Sequence, residues 1–215
     1  MALVVTVALL VGIAQLVLPG LAEQRVRDEL EGFAAVSEVQ VDSTPAVKLL
    51  FGEVDSLTAR LRDAESTQGA VADLIARTEK IDRLRIDADN AEITGVGLTD
   101  VSLVKDGSAM RAAATLSRAE LESVLPAGAE VGSISSEGGA LLVDGSFDVL
   151  GFRLSGPARV EPTGGAIVLR SEQGLLAGLA QLTLFQDDRV RVTALEGEDA
   201  GDRLRLGARG RVGSG

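Results

Sequence analysis

The chain's 215 residues suffice for one ordinary domain with a real core, and 46% hydrophobic with 25% charged residues is a folded rather than a disordered composition. His, Cys, Trp and Tyr are all absent, which removes the usual transition-metal, thiol, haem, iron–sulfur and Ser-His-Asp chemistries and any disulfide framework. A net charge of −11 argues against generic nucleic-acid binding.

Residues 2–18 (ALVVTVALLVGIAQLVL) are uncharged and, at 1.5 Å per residue, reach about 25 Å, near the lower limit for a bilayer core. Pro19-Gly20 ends the run, and Gly20-Leu21-Ala22 offers a small-x-small cleavage pattern before Glu23. Residues 1–22 therefore read as either a cleaved signal peptide or an uncleaved signal anchor. Both readings place residues 23–215 outside the cytoplasm as a single domain. No Lys or Arg precedes the run, so its orientation signal rests on the α-amine.

A helical stripe follows through Leu18, Ala22, Val26, Leu30 and Phe33. The period then changes to two, with Val39 and Val41 in one strand and Leu57, Ala59 and Leu61 in the next. Between them Leu49-Leu50-Phe51-Gly52 reads as an apolar turn closed by glycine. Val71, Leu74, Ile75 and Thr78 predict a helix over 68–79. Leu84, Ile86 and Ala88 form the clearest strand alternation, and further strands are expected at 98–105 and 109–116. Ser117-Arg-Ala-Glu120 reads as a capping box for a short helix ended by Pro126. Beyond it strands are expected at 130–136, 140–148, 151–161, 165–171, 189–196 and 203–212, interrupted by a leucine-rich helix at 174–183. These elements describe an α+β fold, an extended twisted antiparallel sheet wrapping a few helices behind an N-terminal hydrophobic helix.

Chemistry-bearing motifs are scarce. Asp87-Ala-Asp89-Asn90 resembles the opening of a calcium loop, but the positions needing Gly and Glu hold Glu92 and Leu98. The acidic stretch Glu196–Asp202 is either a weak calcium loop or, more simply, a hairpin connection. No phosphate-cradling glycine motif or nucleophile elbow occurs, so no catalytic residue, metal site or cofactor is assigned and the protein is expected not to be an enzyme. Aromatic residues are only 2%, so the core must pack on short aliphatics, and a sheet lined that way suits a linear apolar ligand.

Three segments resemble the LmeA-type family of bacterial cell-envelope phospholipid-binding proteins. They are Leu21–Leu30 after the apolar run, then Val41-Asp-Ser-Thr-Pro45 with Leu49–Gly52 and Val54–Thr58, then Ser117–Leu125 through Leu150-Gly151-Phe152 to Leu169. Pro45 is followed by Ala46, where the family pattern carries an aromatic. The resemblance implies a cell-envelope lipid binder, linked in some members to phosphoinositide-based glycolipid assembly, and transfers no lipid identity or catalytic residue. The expected ligand is a phospholipid or lipid-linked glycan, and the expected surface a membrane. Leu49, Leu50, Phe51, Leu125, Phe147, Leu150 and Phe152, which cluster around the segments of likeness, are the expected lipid-binding residues. Arg189, Arg191, Arg203, Arg205, Arg209 and Arg211 alternate with apolar residues in the last two strands. They are expected on one sheet face, either as edge protection or as a surface for anionic headgroups. The alternative function is a structural or partner-binding envelope module with a fully packed core.

Overall fold

The computed structural model describes residues 22–28, 34–43, 54–66, 75, 78, 81–124, 129–149, 152–171 and 181–213. Residues 22–28 form helix α1. Strands β1 (Ala34–Asp42), β2 (Val54–Ser66), β3 (Ile81–Ile93), β4 (Val96–Asp106) and β5 (Ala109–Ser117) precede helix α2 (Arg118–Val124). Strands β6 (Ala129–Glu137), β7 (Ala140–Val149), β8 (Phe152–Thr163), β9 (Ala166–Ser171), β10 (Gln181–Phe185), β11 (Val190–Asp199) and β12 (Arg203–Val212) follow.

The strands build two sheets, not one. A seven-stranded sheet has the order β1-β2-β3-β4-β5-β12-β11, and a five-stranded sheet the order β10-β9-β8-β7-β6. The described part is thus mostly strand, a correction to the single sheet wrapping helices. Strands expected from alternation are present, because a period of two with one apolar face holds each register. One pair departs from the antiparallel expectation: β2 and β3 run parallel, Leu57 opposite Leu84 and Ala59 opposite Ile86. A parallel pair needs a crossover over one face of the sheet. Of the helix expected at 68–79, only Ile75 and Thr78 lie among the described residues. Ile75 is helical and buried against Met110, Val190 and Val212, so at this residue the connection lies on the apolar face.

The leucine-rich helix expected at 174–183 is corrected at its end. Residues 181–185 are β10, with Leu182 paired to Leu169 of β9. The unpaired edge of β9 gives the five residues hydrogen-bond partners that a helix end would lack.

The capping box is half made. Ser117 Oγ accepts the Glu120 amide at 3.0 Å, as a cap should, but Glu120 Oε1 instead accepts the Gly97 amide of β4 at 2.8 Å. The glutamate supplies β4 with the hydrogen bond that β5 stops offering once it turns into α2. A Cβ at Gly97 would lie 3.2 Å from the Glu120 carboxylate, so a side chain there would push this carboxylate from its hydrogen bond by a few tenths of an ångström.

One face of the seven-stranded sheet is mainly apolar and buried, with Lys105 between Leu84 and Met110 as its buried charged residue. Its β5–β12–β11 half meets the second sheet: Leu116 and Leu204 pack on Ile134, and Val192 and Leu195 pack with Val160. The Leu195 amide also donates to the Gly139 carbonyl in the β6–β7 turn, at 2.8 Å. Arg118 fastens this junction, donating to the Val131 and Gly132 carbonyls and to Asp199 Oδ2 at 2.8, 2.6 and 2.7 Å.

Candidate functional site

The β1–β3 half of the same apolar face differs in what covers it. Its buried cluster is Val39, Val41, Leu57, Ala59 and Leu84, and among the described residues none of the second sheet belongs to it. Among the described residues, Ala22 and Val26 of α1 pack on this cluster, and Glu23 Oε1 accepts the Val41 amide at 3.3 Å. The alternation explains the surface: each buried Leu, Val or Ala alternates with an exposed polar neighbour. Fully burying one Leu or Val contributes about 1.5–3 kcal/mol, so this half is a strong apolar surface. Among the described residues, no aromatic ring lies in the cluster. At its margin Lys105 is buried, with Nζ donating to the Ile81 carbonyl.

Of the expected lipid-binding residues, Leu49, Leu50, Phe51, Leu125 and Leu150 lie outside the described residues. Phe147 and Phe152 fall on adjacent strands of the second sheet, Phe147 opposite Leu154 and Val149 opposite Phe152. The described apolar surface instead consists of β1–β3 positions, whose alternation marked them in the sequence as core.

The opposite face of the seven-stranded sheet is polar. Arg191, Arg203, Arg205, Arg209 and Arg211 are exposed and alternate with the buried face. Arg189 is a correction. It precedes β11 and folds back onto Asp187, with Nε and a terminal guanidinium nitrogen 3.1 and 2.9 Å from that carboxylate. The same carboxylate accepts the Arg189 amide at 2.8 Å, and this pairing holds the Asp187 pKa below its ordinary value. The other five are not equivalent either. Arg205 is 3.8 Å from Glu198, and Arg209 pairs with Glu196. Arg191 and Arg211 have no carboxylate partner among the described residues and stand directly opposite each other.

Arg203 lines a concavity of about 640 Å³ at the other end of this face, with Asp63, Glu65, Glu92 and Glu120. Asn90 Nδ2 donates to Asp63 Oδ1 there at 3.0 Å. Asp100, at φ 52°, sits in a bulge between Thr99 and Ser102 that bends the sheet beside it. The concavity is of mixed character, with Ala35, Ala64, Ala91 and Leu98 beside these charged groups, and it contains none of the residues expected to line an apolar groove.

The acidic stretches are engaged by arginine. Asp87 lies within β3 and is held by Arg85 at 2.7 Å; the same contact raises the Arg85 pKa, through the hydrogen bond first and charge second. Glu196–Asp199 belong to β11, and the hairpin connection itself is the turn before Arg203. Among the described residues, no group of three or more carboxylates is placed to hold a metal ion, and no helix is long and apolar enough to cross a membrane. Residues 2–18 lie outside the described residues. Comparison with family models, with curated proteins and with solved structures finds no match to this chain.

Proposed function

We propose that this is a non-enzymatic protein of the cell envelope that binds or presents a phospholipid-type ligand, tethered by residues 1–22 or released by cleavage near Ala22. The observation that carries the proposal is the β1–β3 half of the apolar face. It lies beyond the second sheet and is lined by Val, Leu and Ala, with a short helix as its described cover. Short aliphatic side chains beneath a helix that, among the described residues, packs through Ala22 and Val26 suit an acyl chain, which needs length and no directional contacts. The apolar run at 2–18 and the resemblance in Leu21–Leu30 support the same reading from the sequence. Lipids extracted from the purified full chain and identified by mass spectrometry test it. About one phospholipid per folded molecule is the expected result, and a lipid-free protein overturns it.

One observation favours the alternative of a packed structural module. Val41 and Ala59 are each only 1% exposed, as in a filled core. Lipid occupancy requires α1 to lift from these residues, so the extraction experiment separates the two readings.

A further inference from the structure

The polar face of the seven-stranded sheet carries two adjacent cross-strand rows of arginine at one end. The first runs Arg83–Asp106–Ala109–Arg211–Arg191 across β3, β4, β5, β12 and β11. The second runs Arg85–Val104–Arg111–Arg209 across β3, β4, β5 and β12. All of these arginines are exposed, and between β3 and β11 the only carboxylate within the two rows is Asp106. Two pairs of like charges, Arg111 with Arg209 and Arg191 with Arg211, stand directly opposite each other, a destabilising arrangement that an overlying anion would relieve. Among the described residues, Arg83, Arg111, Arg191 and Arg211 have no carboxylate partner; the ion pairs that do form, Arg85–Asp87 and Arg209–Glu196, reach toward the next row. Val104, 39% exposed, sits between Arg85 and Arg111 and places an aliphatic side chain within the basic field.

The other end of the same face is acidic, the concavity of Asp63, Glu65, Glu92 and Glu120. A protein of net charge −11 therefore carries a local cationic plane at one end of one face. Strand spacing of about 4.8 Å and a two-residue step of about 6.8 Å make that array roughly 19 Å by 7 Å. An open, exposed array of that extent matches a layer of headgroups better than a single enclosed anion. α1 packs on the opposite, apolar face but at the same end of the sheet: Glu23 meets Val41, one residue from the end of β1, and Asp42 lies in line with the first arginine row through Ser56. The chain thus enters the described domain near the arginine end of the sheet, with three residues between the apolar run and α1.

We infer that the arginine end of this face docks on an anionic phospholipid bilayer, with the acidic concavity turned away. The inference rests on the membrane-side location proposed above but not on a lipid occupying the apolar face. It replaces an undivided arginine surface with a polar orientation in which Arg203 and Arg205 take no part and Arg111 does. The absence of native cysteine allows single labelling sites. Ser108→Cys in the β4–β5 turn and Ala200→Cys in the β11–β12 turn mark the two ends, each carrying a fluorophore on the full chain. Phosphatidylcholine vesicles with or without about 30% phosphatidylglycerol, bearing a headgroup quencher, supply the surface. Quenching at position 108 well above that at 200, only on the anionic vesicles and fading between about 0.02 and 0.5 M salt, is the expected result. Replacing Arg111, Arg191 and Arg211 together by Gln should lower the docked-to-undocked ratio about a hundredfold, and Arg203→Gln with Arg205→Gln should leave it unchanged. Equal quenching at both ends, asymmetry on neutral vesicles, or asymmetry that survives high salt overturns the orientation. If the triple variant fails to fold, the salt series on the native arginines decides alone. Because the label reports orientation and not occupancy, docking and lipid binding fail separately.

Discussion

Gly210 sits on the buried face of β12, opposite Val192 of β11 and between Arg209 and Arg211. Gly210→Ala would set a Cβ 2.7 Å from the Arg191 carbonyl oxygen and 3.3 Å from both the Arg191 carbonyl carbon and the Val192 Cα. These neighbours are all backbone, so no side chain can swing aside. The two strands must separate by several tenths of an ångström, next to the bulge between Val192 and Ala194. Overpacking of this kind costs about 1–3 kcal/mol. For a chain of this length that corresponds to a loss of about 2–12 °C in Tm. Gly156→Ala in β8 is the matched control, because a Cβ there meets nothing within 4 Å and φ is not positive. It should be neutral or stabilising by about 0.4–1 kcal/mol through the unfolded chain. Urea unfolding, read as midpoint at unchanged slope, measures both. If Gly210→Ala proves as stable as Gly156→Ala, the close approach of β11 and β12 described here is wrong.

Arg118→Ala should cost about 1–3 kcal/mol in urea unfolding, since it strips the Val131 and Gly132 carbonyls and Asp199 of a shared charged donor at the junction of the sheets. Asp187→Asn should destabilise the protein at neutral pH by about 0.2–1 kcal/mol, because the Arg189 pairing depresses the Asp187 pKa. A depressed carboxyl contributes fully above its unfolded pKa and loses that contribution as pH falls through its folded value. The difference from the native chain should therefore vanish in acid, and a difference that grows there would contradict the assignment.

The strands were legible where one face is buried. Leu84, Ile86 and Ala88 alternate with charged residues, and such a pattern tolerates no register slip. The same pattern is silent on direction, because a strand buried on one face alternates equally in parallel and antiparallel pairs. The helical spacing over 68–79 therefore gives no sign that β2 and β3 pair in parallel. β10 was hidden because Leu175 to Leu182 keep a helical period in sequence, while Gln181–Phe185 gain a partner only once β9 exists. The division into two sheets depends on β12 returning to β5, a pairing across a long stretch of chain that no local pattern encodes. Arg111 carried no signal among the alanines of β5. Only the register that sets it against Arg209 gives it a place. Arg203 and Arg205 looked identical to Arg209 and Arg211, and they are separated by which end of the face each occupies.

The central claim is that the β1–β3 half of the apolar face receives an acyl chain, and photolabelling tests it most directly. A phospholipid with a diazirine at its acyl terminus would be irradiated with the full chain, and the modified peptides sequenced. Labelling confined to Val39–Val41, Leu57–Leu61 and Leu84–Ala88 is the expected result, displaced by unlabelled phospholipid. Labelling spread over the exposed arginine face, or none that competitor lipid displaces, would contradict it and leave this half of the sheet as ordinary packed core.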